Sequence, residues 1–208
     1  FDQVAQAMGG GMSITGSDAA NPVRAGIPIG DLGGGMFGVM GILAALYERE
    51  RSGVGQHVDI SMLDCQISML NYMATMHFLS GEDPYPIGNS HFVHVPYNTF
   101  SCSDGSIVIA VITDNFWQYL KELVDCPVFD DSKYDTQPGR WEDREMINST
   151  LNNLFSSNTC QYWLAQLEAK RIPCAPVNSL SQALSDEQVL HRNMVVDLKH
   201  PDGSQTKG

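Results

Sequence analysis

The chain has 208 residues, of which 43% are hydrophobic and 17% are charged, and 24 acidic against 12 basic residues give it a formal net charge of −12. That length and composition suit one or two globular domains, and the acidic balance disfavours nucleic acid and anionic membranes as partners. No uninterrupted run of 18 apolar residues predicts a membrane span, and no signal peptide is evident at the start.

The first quarter of the sequence predicts two helices separated by a loop. Residues 1–12 predict a short amphipathic helix that ends at glycines, and residues 13–26, rich in Ser, Gly, Asn and Pro, predict a loop. The apolar run 27–30 predicts a brief strand or an extended approach to the next helix. Apolar residues then recur at spacings of three and four over 33–51, which predicts a long helix ending at Gly53.

The next segment predicts another strand and another helix. Residues 56–62 alternate in polarity as in a strand, and residues 62–80 predict an apolar helix. The order strand, helix, strand, helix over 27–80 is typical of a parallel α/β layer. Three prolines and two glycines in 81–97 predict a linker or exposed loop.

The remainder predicts a smaller α/β unit. Residues 98–112 predict a hairpin that turns at Ser103–Gly105, and Thr113 or Asp114 is expected to cap a helix running to about residue 124. Further elements are predicted as helices at 141–156 and 160–170, a strand within 172–179, short helices near Leu180 and Glu187, and a hairpin turning at 201–203.

One carboxylate, Asp31, stands between the predicted strand 27–30 and the helix that follows. Unpaired amides at a helix start favour an ionised carboxylate, which a nucleophile requires, and Gly33 and Gly34 would leave room for a bulky reactant. Two alternatives stay open. Asp is among the commonest N-cap residues, and small residues such as Gly34, Gly38 and Gly41 on one helical stripe suit close packing of another backbone.

Other chemical motifs are absent or weak. His91 and His94 have a spacing that could ligate a metal, but no cysteine or carboxylate completes the site, so no metal is predicted. Five scattered cysteines without a CxxC pair favour a reduced, cytoplasmic protein. Four aromatic residues at helical spacing are predicted to be core, namely Trp117, Tyr119, Tyr162 and Trp163.

Several stretches together carry a resemblance to a known family. They are "FDQVAQAMGGGMSITG", "GIPIGDLGGGMFGVMGILAALYERERSGVGQHVDISMLD", "PYNTFSCSDGSIVIAV" and "RIPCAPVNSL". The chain resembles the class III CoA-transferases, the family of formyl-CoA transferase and the carnitine and bile-acid CoA-transferases. The likeness extends over nearly the whole chain, in order.

The resemblance implies that Asp31 is a nucleophile that takes CoA from an acyl-CoA donor to a carboxylic acid acceptor, through an aspartyl anhydride and an aspartyl-CoA thioester. It implies that Met62 contacts CoA, although core packing would equally explain a methionine there. Gly33 and Gly34 would border the thioester. No permanently bound cofactor is implied; acyl-CoA is the substrate, and an interlocked homodimer is expected. A glycine-rich flap is not expected, since the matching region has only Gly88.

Two alternatives accompany this function. The α-methylacyl-CoA racemases share the fold but carry a histidine and a glutamate where this chain has Phe1 and Thr113, which disfavours racemisation because it needs an acid and a base. The other is a truncated, non-catalytic chain. Both ends of the sequence are expected to cut through structure, so that much of the CoA-binding surface would lie elsewhere and this chain alone would bind CoA poorly.

The sequence therefore predicts an α/β protein with a Rossmann-like large-domain segment and a smaller α/β domain. Residues 1–85 would belong to the large domain, 86–97 to a linker and 98–190 to the small domain. Residues 191–208 would begin a return to the large domain. The identities of the donor and acceptor acids do not follow from the sequence.

Overall fold

Helices alone build residues 1–92, the first of two compact units in the computed structural model, which describes residues 1–208. The second unit is Val93–Gly208, so the boundary falls inside the segment predicted as a linker. The elements of the first unit are α1 (Asp2–Met8), a 3-10 turn (Gly11–Ser13), α2 (Ile29–Ser52), α3 (Met62–Met69) and α4 (Tyr72–Ser80).

Both strands predicted in this unit are wrong. Helix α2 already begins at Ile29 and so takes in half of the predicted strand 27–30. Residues 56–61 have no assigned secondary structure, and Ser61 is extended with φ −105° and ψ 127°. A strand exists only when another strand pairs with it, and no segment of residues 1–92 does so. The alternating pattern therefore marks an extended segment without a partner.

The single helix predicted over 62–80 is two helices. Helix α3 ends at Met69, and Asn71, with φ 51°, separates it from α4. Asn is one of the few residues that tolerate a positive φ, so the break occurs where the sequence permits it. Ser61 caps α3 by accepting a hydrogen bond from the Asp64 amide at 3.3 Å.

Helices α1, α2 and α3 pack against one another, and glycines lie at the closest approaches. A Cβ at Gly9 would come within 2.5 Å of the Gln66 Cβ, and a Cβ at Gly41 within 2.7 Å of Val58 Cγ1. The predicted packing role is therefore supported at Gly41. For Gly38 this chain supplies no packing partner, since nothing lies within 4 Å of its Cβ position.

Helix α2, including its most apolar window of 18 residues, is long and apolar enough by length and composition to cross a membrane. Glycines interrupt its apolar run, so no uninterrupted stretch of 18 apolar residues occurs. Core helices of soluble proteins share this length and composition. Only 11% of that window is buried within this chain. Large apolar side chains stand exposed along it, namely Leu32, Met36, Val39, Met40, Leu43 and Tyr47.

The second unit is mixed α/β, in agreement with the predicted fold class. Strands β1 (Tyr97–Cys102), β2 (Gly105–Ala110) and β3 (Cys174–Pro176) form an antiparallel sheet in that order, with Phe100 opposite Ile107 and Ile109 opposite Cys174. The other elements are α5 (Asp114–Val124), α6 (Gln137–Glu142), α7 (Arg144–Phe155), α8 (Cys160–Ala169), α9 (Leu180–Leu184), α10 (Glu187–His191), β4 (Asp197–Lys199) and β5 (Gln205–Lys207).

The core of this unit is where the helices cover the sheet. Phe100 and Ile107 from the strands meet Leu151 and Phe155 of α7, all at most 1% exposed. The rings of Phe100 and Phe155 meet edge to face at 5.5 Å. Trp163 of α8 adds its ring to this contact and donates its indole N–H to the Phe155 carbonyl at 2.8 Å, so its one polar group is satisfied.

Most predicted elements of this unit are confirmed. Thr113 caps α5 by accepting from the Phe116 amide, and the hairpins turn where Gly105 and Gly203 indicated. Helix α6 was missed: Thr136 caps it and a proline follows in its first turn, two start signals hidden in a loop-like composition. Trp117 and Trp163 are core, as predicted, whereas the core prediction was wrong for Tyr119 and Tyr162, which are 40% and 45% exposed.

Candidate active site

Asp31 lies in the first turn of α2 with its side chain exposed. The N-cap residue is Pro28, three positions earlier, and no side chain of the cap residue accepts a hydrogen bond. The alternative that Asp31 serves as an ordinary N-cap is therefore wrong. Its carboxylate is not committed to capping the helix from which it projects, so it remains available to a ligand.

The capping role belongs to a different carboxylate, Asp2 of α1. Its Oδ1 accepts a hydrogen bond from the Gly30 amide at 2.8 Å. Its Oδ2 accepts from Nε2 of Gln6 at 2.8 Å, and Oε1 of Gln6 accepts from the Ala25 amide at 2.9 Å. A carboxylate at a helix N-terminus is stabilised by the unpaired amides there. The residue before Asp31 is thus fixed to another helix.

The amides of the first turn divide unevenly. Those of Ile29 and Leu32 donate to the carbonyls of Ile27 and Pro28 at 2.8 and 3.0 Å, and that of Gly30 donates to Asp2. The amide of Asp31 has no acceptor in this chain. A backbone donor therefore remains beside the exposed carboxylate, at the positive end of the helix dipole, where it can meet a developing negative charge.

The three glycines after Asp31 have different surroundings. Gly33 is buried, and a Cβ there would lie 2.6 Å from Cε of Met69, which supports the packing alternative for this residue. A Cβ at Gly34 would lie 3.4 Å from Cγ of Met62, so two of the three residues predicted to border CoA are neighbours. Gly35, which was not singled out, has nothing within 4 Å and lies on the open face with Asp31.

An open apolar surface begins at Asp31 and runs along α2. The residues that form it are Asp31, Leu32, Gly35, Met36, Val39 and Met40. One carboxylate at the end of an apolar surface can face the reacting carbonyl of a ligand whose other parts lie on that surface. No other element of the chain contributes to this surface.

The remaining candidates do not form a second centre. No group of three or more His, Cys, Asp or Glu side chains is placed to hold a metal ion. Nδ1 of His94 lies 3.2 Å from Nε2 of Gln137. Of the two racemase positions, Phe1 is fully exposed and Thr113 uses its hydroxyl to cap α5, so neither supplies an acid or a base.

Helix α2 begins with a first-turn aspartate and three glycines, and an antiparallel α/β unit follows it in the chain. This arrangement agrees with the class predicted from the sequence. Over residues 1–208 the sequence matches CoA-transferase family III. The chain belongs to this family.

Named relatives and a solved structure agree with membership of this family. The chain is 33% identical over 202 residues to the mouse succinyl-CoA:glutarate CoA-transferase and 34% identical over 205 residues to the succinyl-CoA:mesaconate CoA-transferase of Haloarcula hispanica. These matches take in 97% and 99% of this chain but 46% and 51% of the relatives, so the chain spans about half their length. A CaiB/BaiF family protein from Brucella suis has a similar structure, with a TM-score of 0.85 and 28% identity over 99% of this chain and 57% of its own.

The sequence singles out Asp31 as the candidate nucleophile but does not predict the residues that surround it. Asp2 and Gln6 lie one turn apart on α1, and their acid-amide pair was a signal that could have suggested a network. Their partner Gly30 is the residue directly before Asp31, and its lack of a side chain is required by Asp2: a Cβ there would lie 2.9 Å from Oδ1 and 3.1 Å from the carbonyl oxygen of Asp2.

Proposed function

We propose that the protein containing this chain is a CoA-transferase that moves CoA from an acyl-CoA donor to a carboxylic acid acceptor, with Asp31 as the nucleophile. The observation that carries the proposal is an exposed first-turn carboxylate that takes no part in capping its own helix, in a chain that belongs to CoA-transferase family III. Covalent catalysis by a carboxylate divides one difficult exchange into easier steps.

The proposed reaction has four steps. The Asp31 carboxylate attacks the thioester carbonyl of the donor, which gives a mixed anhydride and the CoA thiolate. The thiolate attacks the aspartyl carbonyl, which forms an aspartyl-CoA thioester and releases the donor acid. The acceptor carboxylate attacks this thioester and forms a second anhydride with release of the thiolate. The thiolate attacks the acceptor's acyl carbon, and Asp31 is regenerated.

The geometry around Asp31 suits these steps. Each step passes through a tetrahedral oxyanion, and donors aimed at such an oxyanion are usually the largest single contribution to catalysis. The Asp31 amide has no acceptor within the chain. Gly34 and Gly35 leave the adjoining helix surface without side-chain bulk, and Met62 lies against Gly34, where it would contact CoA. Gly33 would border the site through its backbone.

The substrates we propose are dicarboxylic. The mouse and Haloarcula relatives are named for succinyl-CoA as donor and for glutarate or mesaconate as acceptor. Each of these acids has a second carboxylate, which a transferase must recognise away from the reacting centre. We propose the same class of substrate here. Because this chain is acidic, we propose that the basic side chains that bind the second carboxylate lie in another part of the protein.

Assembly and location are proposed on physical grounds. The apolar side chains exposed along α2 favour burial against another protein surface, in keeping with a homodimer. All five cysteines are free, which is usual for a protein of the reducing cytoplasm.

The test uses the full-length protein with succinyl-CoA and glutarate. Asp31→Asn is expected to abolish transfer, since the side-chain amide of asparagine cannot replace the carboxylate as a nucleophile. Asp64→Asn is the matched control, because Asp64 occupies the same first-turn position of α3 and is also exposed. Hydroxylamine added during turnover should convert Asp31 to a hydroxamate that mass spectrometry locates. Transfer at the unmodified rate by the Asp31→Asn variant would rule the mechanism out.

A racemase is separated by a second measurement. The proton on the α-carbon of the acyl-CoA should not exchange for deuterium in D₂O when no acceptor acid is present. Exchange at that carbon would favour the isomerase instead.

A further inference from the structure

We infer that Asp2 is a positioning residue for the Asp31 nucleophile and that it acts through the backbone of Gly30. The inference rests on the proposed function of Asp31. Asp2 does not react with substrate; it fixes the peptide from which the reacting carboxylate projects.

The connection is short and directional. The Gly30 N–H donates to Oδ1 of Asp2 at 2.8 Å, and Gly30 is joined to Asp31 by one peptide bond. Because the first turn of α2 has no side-chain cap from Pro28, this bond is the side-chain contact that fixes the start of the helix. A shift of about 1 Å in a reacting group can cost on the order of 100-fold in rate, so a fixed origin for the Asp31 side chain matters to the reaction.

Steric contact makes the same connection. A Cβ at Gly30 would meet Oδ1 of Asp2 at 2.9 Å, its carbonyl oxygen at 3.1 Å and its Cα at 3.4 Å. The starts of α1 and α2 therefore touch through backbone as well as through a hydrogen bond. Glycine is the residue that allows this approach.

With glutamine at position 6, the hydrogen-bond network requires two acceptor oxygens at position 2. Asp2 accepts hydrogen bonds on both oxygens, from Gly30 and from Gln6, and Gln6 accepts from the Ala25 amide. Gln6 is only 2% exposed. An asparagine at position 2 has one acceptor oxygen, whereas the Gly30 amide and Nε2 of Gln6 need two. Turning the Gln6 amide around would leave its nitrogen facing the Ala25 N–H, so the asparagine variant must lose one hydrogen bond.

A paired substitution can restore the network. With Asp2→Asn and Gln6→Glu together, the oxygen at position 2 can accept from Gly30, and its nitrogen can donate to the new carboxylate at position 6. That carboxylate can also accept from Ala25. The three hydrogen bonds and the single negative charge are retained, although the charge has moved one helical turn.

The test compares kinetics of the full-length protein variants. Asp2→Asn is expected to lower kcat by about tenfold or more while the KM for acyl-CoA changes less than about threefold, since the substrate surface is untouched. The Asp2→Asn/Gln6→Glu pair is expected to recover kcat to within about threefold of the unmodified enzyme. Asp18→Asn removes an equal charge from a loop whose carboxylate accepts from the Ala20 amide, and kcat should not change.

Thermal melting accompanies every variant, so that rates are compared well below the transition. A folded Asp2→Asn variant with an unmodified kcat would overturn the inference. If that variant does not fold, the double variant decides alone: a folded double variant that has lost about tenfold in kcat also overturns it. Asp31→Asn is measured alongside. Activity in Asp31→Asn contradicts the proposed function itself, whereas loss in Asp31→Asn with none in Asp2→Asn contradicts the positioning role only.

Discussion

Gly41 of α2 lies directly against Val58, so that a Cβ at position 41 would come within 2.7 Å of Val58 Cγ1. Valine is branched at Cβ and has few ways to move aside. The contact closes the extended segment 56–61 onto the helix, and it explains one glycine of the small-residue stripe by a named neighbour.

A pair of glycine substitutions tests this contact. Gly41→Ala is expected to destabilise the chain by about 1–3 kcal/mol, because overpacking forces backbone or side-chain shifts. Gly38→Ala, one turn earlier with nothing within 4 Å, should be neutral or stabilising by up to about 1 kcal/mol. Urea unfolding monitored by circular dichroism measures both. Equal effects at the two positions would contradict the packing role of Gly41.

Arg140 supports a second prediction, in the smaller unit. Its side chain is fully buried, donates to the carbonyls of Val95 and Tyr134 at 2.9 and 2.6 Å, and lies over the ring of Trp117 at 5.2 Å. Its ion pair with Asp114 counts for less, because that carboxylate is 63% exposed.

Arg140→Met is expected to lower the free energy of unfolding by about 3 kcal/mol, since two buried carbonyls lose their donor. Arg144→Met is the control, because the Arg144 guanidinium stacks on Trp141 and makes one hydrogen bond while remaining half-buried. Its effect should stay below about 1 kcal/mol. A smaller effect at Arg140 than at Arg144 would show that the buried guanidinium is not what fixes Val95.

Cys102 gives a prediction about pH. Burial, followed by a hydrogen bond to Cys160, raises the pKa of the Cys102 thiol from 9.0 to about 12. In the unfolded chain the thiol ionises near its ordinary pKa, so the stability that this thiol contributes is complete below pH 9 and is lost as the pH rises towards 12.

Because the thiolate is the form that reacts, the raised pKa is checked by the rate at which iodoacetamide alkylates Cys102 at pH 8. Mass spectrometry locates the label. Cys102 should label more slowly than the half-buried Cys126 in the native protein, and at a similar rate in urea. Native labelling of Cys102 ahead of Cys126 would contradict the assignment.

Met62 and Met69 separate substrate contact from packing. Both lie on α3 and face glycines of α2, Met62 towards Gly34 and Met69 towards Gly33. In the full-length protein, Met62→Ala is expected to raise the KM for acyl-CoA severalfold, because it would remove a contact to CoA. Met69→Ala should lower stability by about 2 kcal/mol and leave KM unchanged. An unchanged KM in Met62→Ala would return this residue to the packing alternative.

The features that the sequence predicted well are local. The cap at Thr113, the turn before Gly105 and the end of α2 at Gly53 depend on side chains within a few positions of the backbone they satisfy. The failures are tertiary. Residues 56–61 have the alternation of a strand but no strand beside them, and periodicity carries no information about a partner.

The candidate site divides in the same way. Asp31 could be proposed as the nucleophile from the glycines beside it and from the family resemblance. The cap from Asp2 was not, since a hydrogen bond between the starts of two helices leaves no periodic trace. Gly30 had a signal, a glycine directly before the aspartate, but its cause is visible only once α1 is in place.

The hydrogen bond between Asp2 of α1 and Gly30 of α2 has a consequence for recombining members of this family. A chimera that takes its first helix from one parent and its second from another brings together two surfaces that were never matched. Crossovers between positions 2 and 30 should therefore yield folded but slow enzymes unless Asp2, Gln6 and Gly30 are inherited as a set. A crossover near Phe92, where one compact unit gives way to the other, leaves that set intact.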